Sequence, residues 1–257
     1  MRPRPVRITT PARILTLDIE TAPHETLSWG LFGQNISLSQ LRRAGGMICW
    51  VAKYYGEPEV HFASVYHDGV EGMLSRLHEL LSETDVLVTY NGKSFDEKHI
   101  RRAFVEAGLA PLPPFHSLDL IQTVRRSFRF ASNKLDHVSD TLLGSRKVSH
   151  SGQSLWNACL YGEGREQERA WETMRRYNIQ DVRLTERLLG VLVPYLGPTQ
   201  AVLGRYASDP FCCPRCGNDQ LSRDGVDRSL ARPAQLWRCR RCRGYSRSQG
   251  AGLRAVA

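Results

Sequence analysis

Five residues in this sequence carry a recognisable set of chemical groups, namely four carboxylates and one phenol. Asp18 and Glu20 lie in the segment LTLDIET, Asp96 lies in NGKSFD, and Tyr177 and Asp181 lie in YNIQD. Carboxylates are the ligands that Mg²⁺ and Mn²⁺ prefer, and two such ions about 4 Å apart promote phosphodiester hydrolysis. The residue types therefore predict a site that binds two hard divalent cations.

Each of these segments also has an ordinary structural explanation when it is considered alone. A pair of acids in a strand can lie at an exposed edge, and an aspartate at a helix start favours the helix dipole. A Tyr–Asp pair four residues apart is common on helix surfaces. A metal site explains all three segments at once, because bound cations offset the mutual repulsion of the carboxylates.

The pattern around each acid predicts the element that carries it. Apolar residues alternate with Asp18 and Glu20, so these two side chains point to the same face of a strand. Asp96 follows a strand and a glycine turn, and it begins a helix. Tyr177 and Asp181 lie four residues apart in a long helix and share one of its faces. The fold must then bring these three elements together.

The remaining sequence predicts a mixed sheet with flanking helices. We expect strands at 13–20, 47–55, 59–66, 85–91 and 115–120, and helices at 69–82, 95–107, up to about 143, and 166–193. Early strands close in sequence favour antiparallel pairing, and the later alternation favours parallel strands with helical crossovers. This order is that of an α/β protein with the ribonuclease-H-like fold. The segment GRYASDP is interpreted as a linker between domains 1–203 and 204–257.

The segments DIET, NGKSFD and YNIQD resemble the three exonuclease motifs of the DEDD superfamily in its tyrosine variant, whose third motif is Tyr-x-x-x-Asp. The histidine variant would require His where this chain has Arg176. The resemblance extends over about residues 12–195. It is strongest to predicted bacterial and phage exonucleases near the exonuclease domains of family B polymerases.

The resemblance implies a metal-dependent 3′–5′ exonuclease that hydrolyses DNA or RNA with two Mg²⁺ or Mn²⁺ ions, acting best on a single-stranded 3′ end. Asp18 would bridge both ions, Glu20 and Asp181 would complete the first site, and Asp96 would bind the second ion. Tyr177 would hold the attacking water by a hydrogen bond. A phenol with a pKa of about 10 is a poor base at neutral pH, so the metal must supply most of the deprotonation.

Two other functions remain open from the sequence. The chain could be a non-catalytic nucleic-acid-binding adaptor, although its complete carboxylate set argues against this, or a structure-specific endonuclease that uses the same site. Asp119 fits a helix-start residue better than a further metal ligand. Four cationic residues could contact phosphate, but a solvated surface is the simpler interpretation. They are Lys93, Arg125, Arg126 and Arg129.

Five of the seven cysteines lie between residues 212 and 242. The pairs Cys213-x-x-Cys216 and Cys239-x-x-Cys242 are separated by 22 residues, a pattern that fits a closed tetrahedral Zn²⁺ site. The segment resembles a zinc ribbon of the nucleic-acid-associated kind, and one structural zinc ion is expected. Disulfides are the alternative, but no secretion signal supports them.

Some details of this cysteine module stay open. Cys212 is adjacent to Cys213 and could take its place as a ligand. Arg243 follows the second pair at a position where such knuckles often have glycine. Elsewhere in the chain, the isolated Cys49 and Cys159 lie in apolar surroundings and are predicted to be small core residues.

Positive charge is concentrated in the same module. The formal net charge is +9, and residues 205–257 contribute +7 of it through 11 arginines and 4 aspartates. This charge favours a polyanionic partner, so the module is expected to bind nucleic acid through backbone contacts and base stacking. The residues predicted to do so are Trp237, Arg238, Arg240, Arg241 and Tyr245. Docking to a protein partner is the alternative.

The overall composition is that of a globular protein. The 257 residues are 41% apolar, which suffices for one medium domain and a small one. The longest apolar run, LLGVLVPYLG, is too short for a membrane span and contains a proline. The basic N-terminus has no signal-peptide apolar stretch. We therefore expect a cytoplasmic protein with no membrane partner.

Overall fold

The structure is a computed structural model, and it describes residues 2–147, 152–229 and 232–256. The first and larger part of the chain contains the following elements in chain order: β1 (Ile14–Thr21), β2 (Glu25–Thr26), β3 (Leu41–Arg43), β4 (Met47–Tyr54), β5 (His61–Ser64), α1 (Gly69–Ser82), β6 (Val86–Thr89), α2 (Asp96–Glu106), β7 (His116–Asp119), α3 (Leu120–Ser127), α4 (Leu135–Leu143), α5 (Gln153–Tyr161) and α6 (Gly164–Leu192).

A five-stranded mixed sheet forms the centre of this part. The spatial order of its strands is β5–β4–β1–β6–β7. β4 pairs antiparallel with β1 and β5, whereas β6 pairs parallel with β1 and β7. The predicted mixed sheet, with early antiparallel and later parallel strands, is confirmed. β1, which carries Asp18 and Glu20, is the middle strand.

The two faces of β1 have different partners. Leu15, Leu17 and Ile19 are buried in one core cluster with side chains of α1 and α2. Each side chain of this kind stabilises the fold by roughly 1.5–3 kcal/mol. Successive strand side chains alternate, so Asp18 and Glu20 point to the opposite face, over which α6 packs. The apolar face of the strand therefore holds its acidic face in position.

α6 combines site residues and core residues on one face. The helix has 29 residues and is therefore about 44 Å long. Tyr177, Asp181, Leu184 and Leu188 are all buried, and their three- and four-residue spacing places them on a single stripe. The leucines of that stripe fix the rotation of the helix. This rotation turns the tyrosine and the aspartate towards the sheet.

One helix and one β-hairpin were not predicted from the sequence. α5 buries only Leu155 and Cys159, so its apolar stripe is too short to be recognised. β2 and β3 form a hairpin directly after β1, and its loop exposes Trp29 fully and Phe32 to 90%. Glu25 contacts both Arg43 and Tyr161, and these contacts join the hairpin to α5.

The C-terminal module is a four-stranded antiparallel sheet in the order β11–β10–β9–β8. Its strands are β8 (Leu221–Asp227), β9 (Ala234–Cys239), β10 (Tyr245–Gln249) and β11 (Gly252–Ala255). Cys213 and Cys216 precede β8, Cys239 is the last residue of β9, and Cys242 lies in the turn that follows it, as expected for a ribbon with two knuckles.

This module is packed firmly against the larger part of the chain. The amide of Thr9 donates to the carbonyl of Cys216 at 2.9 Å, and the Tyr206 hydroxyl donates to the carbonyl of Asp85 at 3.0 Å. The buried cysteines belong to the same core cluster as the C-terminal leucines of α6. The segment GRYASDP begins within a short 3₁₀ helix, Leu203–Tyr206. None of the helices that the structure describes is both long and apolar enough to cross a bilayer.

Candidate active site and cysteine cluster

The carboxyl end of β1 is the place where the predicted acids meet. Asp18 and Glu20 come from β1, Asp96 is the first residue of α2, and Asp181 comes from the middle of α6. The Asp96 carboxylate accepts a hydrogen bond from the amide of Ile19 at 3.2 Å, which ties the start of α2 directly to the strand. Asp96 is 4% exposed and Asp181 is 1% exposed.

The turn that places Asp96 is held by a different aspartate. The Asp119 carboxylate accepts hydrogen bonds from the amides of Asn91 at 2.7 Å and Lys93 at 3.2 Å. It also accepts one from the amide of Ile121 at 3.2 Å, which caps the N-terminus of α3. Asp119 is therefore a helix-start residue, as predicted, and its oxygens bind backbone amides.

Mutual repulsion and burial dominate the electrostatics of the acids. Burial, followed by repulsion from Asp96, Asp181 and Glu20, raises the pKa of Asp18 well above its ordinary value. Burial and then repulsion from Asp181 raise the pKa of Glu20 to about 8. Burial also raises the pKa of Asp96 to about 7. A cation bound between these groups would reverse all three shifts.

Lys147 supplies a cation at this position, and the sequence reasoning missed it. Its Nζ donates to the Asp181 carboxylate and, at 3.1 Å, to the Tyr177 hydroxyl. Burial would lower the pKa of Lys147, but attraction from Asp181 and Tyr177 outweighs this and raises the pKa. Lys147 lies 34 residues before Asp181 and in no motif, so no local signal marks it.

Tyr177 lies between this lysine and the hydrophobic core. Its ring is in edge contact with Trp156 at 6.5 Å between centroids and is 5.0 Å from the Lys147 Nζ. Burial, and then repulsion from the carboxylate of Asp181, raise the pKa of the phenol. The hydroxyl therefore stays protonated at neutral pH and can orient a water molecule but cannot remove its proton.

The acids form an open set of ligands. Within the described part of the chain, the cysteine cluster is the one group of three or more His, Cys, Asp or Glu side chains whose ligand atoms all lie within 4.8 Å of one another. The four carboxylates do not belong to that cluster, and every ligand atom they offer is an oxygen. Such an all-oxygen site fits hard cations, which also take water and phosphate oxygens as ligands. The Lys147 ammonium already supplies one positive charge beside these carboxylates.

The four predicted zinc ligands do form a closed set. The Sγ atoms of Cys213 and Cys242 lie 3.6 Å apart, and those of Cys216 and Cys239 lie 3.7 Å apart. Tetrahedral zinc with Zn–S bonds of about 2.3 Å requires sulfur atoms about 3.8 Å apart. A disulfide would require about 2.05 Å. Cys212 lies outside the cluster, since its thiol donates to the carbonyl of Gly204 at 3.4 Å.

The two knuckles have the same backbone conformation. Gly217 has φ +72° and its amide donates to the carbonyl of Cys213 at 2.8 Å. Arg243 has φ +64° and its amide donates to the carbonyl of Cys239 at 2.9 Å. The arginine therefore occupies a left-handed position that normally suits glycine.

The ribbon residues that are predicted to contact nucleic acid differ in their exposure. Some pack against other ribbon side chains, and others face the solvent. The Trp237 indole donates to the Ser248 hydroxyl at 2.9 Å and is only partly accessible. The Arg238 guanidinium lies 5.4 Å from the Tyr245 ring centroid and 4.0 Å from the Asp224 carboxylate. The side chains of Arg240 and Arg241 are exposed and lie on the second knuckle.

The fold and the site define a ribonuclease-H-like domain with a cysteine module. The family model of the RNase_H superfamily matches residues 40–193, which is more than half of the chain. The chain therefore belongs to the RNase_H superfamily, and the predicted fold is confirmed. The matched range includes Asp96, Tyr177 and Asp181, and it ends before the cysteine module.

Among individual proteins, the chain is similar to archaeal DNA polymerases. It is 25% identical over 198 residues to a DNA polymerase of Desulfurococcus sp. (strain Tok), covering 68% of this chain and 24% of the polymerase. It is 24% identical over 221 residues to a DNA polymerase of Pyrococcus glycovorans, covering 77% of this chain and 27% of the polymerase. The chain thus spans roughly a quarter of the length of these relatives. A family B DNA polymerase from Pyrobaculum calidifontis superposes with a TM-score of 0.48 and 15% identity, over 84% of this chain and 31% of that one.

Proposed function

We propose that this protein is a metal-dependent 3′–5′ exonuclease that hydrolyses phosphodiester bonds of DNA or RNA. The observation that carries the proposal is the convergence of the partly buried Asp18 and Glu20 with the buried Asp96 and Asp181, where burial and repulsion raise the pKa values of the first three. Such an arrangement costs stability in the absence of cations, so a structural role alone does not account for it. The similarity to DNA polymerases supports a nucleic-acid substrate, and the 3′–5′ polarity comes from the motif resemblance.

Two Mg²⁺ or Mn²⁺ ions bound at the carboxylates would lower the pKa of the attacking water and offset the charge that develops on the phosphate. Asp18 lies on the middle strand and is repelled by all three other acids, which supports the proposal that it would be a ligand of both ions. Tyr177 keeps its proton and orients the attacking water through its hydroxyl. The Lys147 ammonium donates to that hydroxyl at 3.1 Å and holds it in place.

The cysteine cluster is proposed to hold one structural Zn²⁺, and a buried arginine supports this. Arg215 is 3% exposed, and its guanidinium donates to the carbonyls of Leu196, Tyr245 and Val256. It forms no ion pair with any residue in the described ranges. Four thiolates and one Zn²⁺ carry a net charge of two minus, which compensates this buried cation. Uncharged thiols or disulfides would leave it uncompensated.

One gel experiment tests the nuclease proposal. Single-stranded DNA and RNA oligonucleotides labelled at either the 3′ or the 5′ end are incubated with Mg²⁺, with Mn²⁺ or without divalent ions. The proposal expects a ladder from the 5′-labelled strand and early release of the 3′ label, in the presence of divalent ions only. Asp18→Ala should abolish both signals, whereas Asp140→Ala, which removes a partly exposed carboxylate paired with Arg146, should retain them. Intact oligonucleotides under all conditions would refute the enzyme, and cleavage of a circular strand would support the endonuclease alternative.

A further inference from the structure

A basic groove lies where the cysteine module meets the larger part of the chain. It has a volume of about 620 Å³ and is lined on one side by Val191, Pro194 and Tyr195 at the end of α6. Five arginines from separate segments also line it, whereas no acidic residue does. They are Arg4, Arg126, Arg215, Arg241 and Arg243.

Four of these arginines are available to an anionic ligand. Arg215 is buried and bound to carbonyl groups, whereas Arg4, Arg126, Arg241 and Arg243 are exposed. One guanidinium nitrogen of Arg126 also donates to the carbonyl of Tyr195 and to the Ser127 hydroxyl. In the described ranges, none of these four forms an ion pair with a carboxylate. Converging cations without counter-charges repel one another, so a bound polyanion would relieve this repulsion.

Arg243 adds a second and independent observation. It holds a left-handed backbone conformation, whereas the matching position of the first knuckle is Gly217. Glycine at position 243 would remove the backbone strain, so the presence of an arginine there indicates a functional reason for its side chain. Its side chain lines the groove beside that of Arg241, which supplies such a reason.

Aromatic side chains pack beside the groove, and cationic side chains line a second cleft beside the acids. Phe128 is in edge contact with Tyr195 at 4.9 Å between centroids and packs on Phe130 at 5.4 Å. Arg125, next to the groove residue Arg126, lines a separate cleft of about 470 Å³. Lys147 lines the same cleft and contacts Asp181.

Helix α6 sets the distance between the groove and the acids. Ten residues of α6 separate Asp181 from Val191 in the groove, a distance of about 15 Å along the helix. Stacked nucleotides advance about 3.4 Å each, so a strand bound at both places needs at least four to five nucleotides between them.

We infer that the groove binds the phosphate backbone of a single-stranded nucleic acid whose 3′ end lies at the carboxylates. This inference rests on the proposed function for the position of the 3′ end. It places the main ribbon contacts at Arg241 and Arg243, together with Arg4 and Arg126 outside the ribbon. The cleft beside Lys147 and the Phe128–Tyr195 pair lie between the groove and the acids and stack or contact the intervening nucleotides.

The test is fluorescence anisotropy with labelled oligodeoxythymidines of three and ten nucleotides, in buffer without Mg²⁺ or Mn²⁺. The double variant Arg241→Ala/Arg243→Gly removes two groove cations and keeps a residue that tolerates the knuckle conformation. The matched control Arg228→Ala/Arg232→Ala removes the same charge from exposed ribbon positions outside the groove. Zinc content and melting temperature confirm that both variants are folded.

Each single-strand phosphate contact contributes about 0.7 to the slope of log Kd against log salt. The groove variant should therefore lose about 1.4 from the slope and, at 0.15 M salt, bind the ten-nucleotide strand roughly tenfold more weakly. The three-nucleotide strand is too short to reach from the groove to the acids, so the wild type should bind it more weakly than the ten-nucleotide strand. Equal weakening in the control variant, or unchanged binding in the groove variant, would overturn the inference. Anisotropy does not depend on hydrolysis, so length-dependent binding without any cleavage would refute the proposed enzyme and leave the groove intact.

Discussion

Asp96→Asn is the substitution that most directly tests whether the acids are held together against their own repulsion. Asp96 is almost completely buried, and burial raises its pKa to about 7. The asparagine Oδ1 can still accept the hydrogen bond that the Ile19 amide donates at 3.2 Å. The substitution therefore removes the charge and keeps the contact.

The sign of the expected pH dependence follows from proton binding. Between the ordinary aspartate pKa of about 4 and the folded value of about 7, the folded protein holds a proton at Asp96 that the unfolded chain has released. The free energy of unfolding of the protein without divalent ions must then fall as the pH rises through this window. One pH unit corresponds to about 1.4 kcal/mol, so Asp96 alone accounts for about 2 kcal/mol between pH 5.5 and 7. This corresponds to roughly 4–8 °C in melting temperature for a chain of this size.

The assay is urea unfolding and thermal melting at pH 5.5, 7 and 8, in buffers freed of Mg²⁺ and Mn²⁺ but without a chelator, so that zinc is retained. Asp96→Asn should reduce the fall in the free energy of unfolding between pH 5.5 and 7 by about 2 kcal/mol. At pH 8 the variant should be more stable than the wild type. Added Mn²⁺ should stabilise the wild type more than the variant. Asp140→Asn is the control. The Asp140 carboxylate is partly exposed, and its hydrogen bond from Arg146 lowers its pKa, so the substitution should leave the pH dependence above pH 5.5 unchanged. If the free energy of unfolding of Asp96→Asn falls with pH as steeply as that of the wild type, the electrostatic description of the site is wrong.

Three further predictions concern neighbouring features. Lys147→Met removes the cation that contacts Asp181, so it should destabilise the protein without divalent ions by about 1–3 kcal/mol at pH 8, and by less with Mn²⁺. An equal change in melting temperature in both buffers would contradict this. Arg243→Gly removes a left-handed arginine and should raise stability by about 1 kcal/mol in thermal melts with zinc retained, so a lowered melting temperature would contradict the strain. Cys242→Ser should lose zinc in a metal assay and destabilise the whole chain by several kcal/mol, because the cysteines share a core with α6; an unchanged main transition would show that the module folds independently.

Local patterns were sufficient to predict most of the fold. The alternation around Asp18 identified β1, and the apolar spacing around Asp181 identified α6 to within two residues of its start. These signals are local because a strand or a helix repeats its side-chain direction every few residues. The role of Asp119 could also be predicted, since a helix-start aspartate binds nearby amides.

The parts that could not be predicted depend on long-range packing. Lys147 reaches Asp181 only because α4 and α6 pack together, and its own surroundings in the sequence contain no periodic pattern. The groove combines Arg4, Arg126 and Arg243, which are up to 239 residues apart. In the sequence Arg126 was interpreted as solvated surface, because charge alone does not show which cations converge.

The position of the ribbon changes how its contribution can be tested. The segment from Thr9 to Ile14 leads from the ribbon contact into β1, and the acids lie at the far end of that strand. The ribbon is therefore at the opposite end of the central sheet from the acids, and it cannot contact the scissile phosphate. Deleting it would uncover the core around Leu192 and Leu196 and confuse loss of binding with loss of folding. Substitutions at Arg241 and Arg243 separate the two roles, because they alter the groove and leave the cysteines in place.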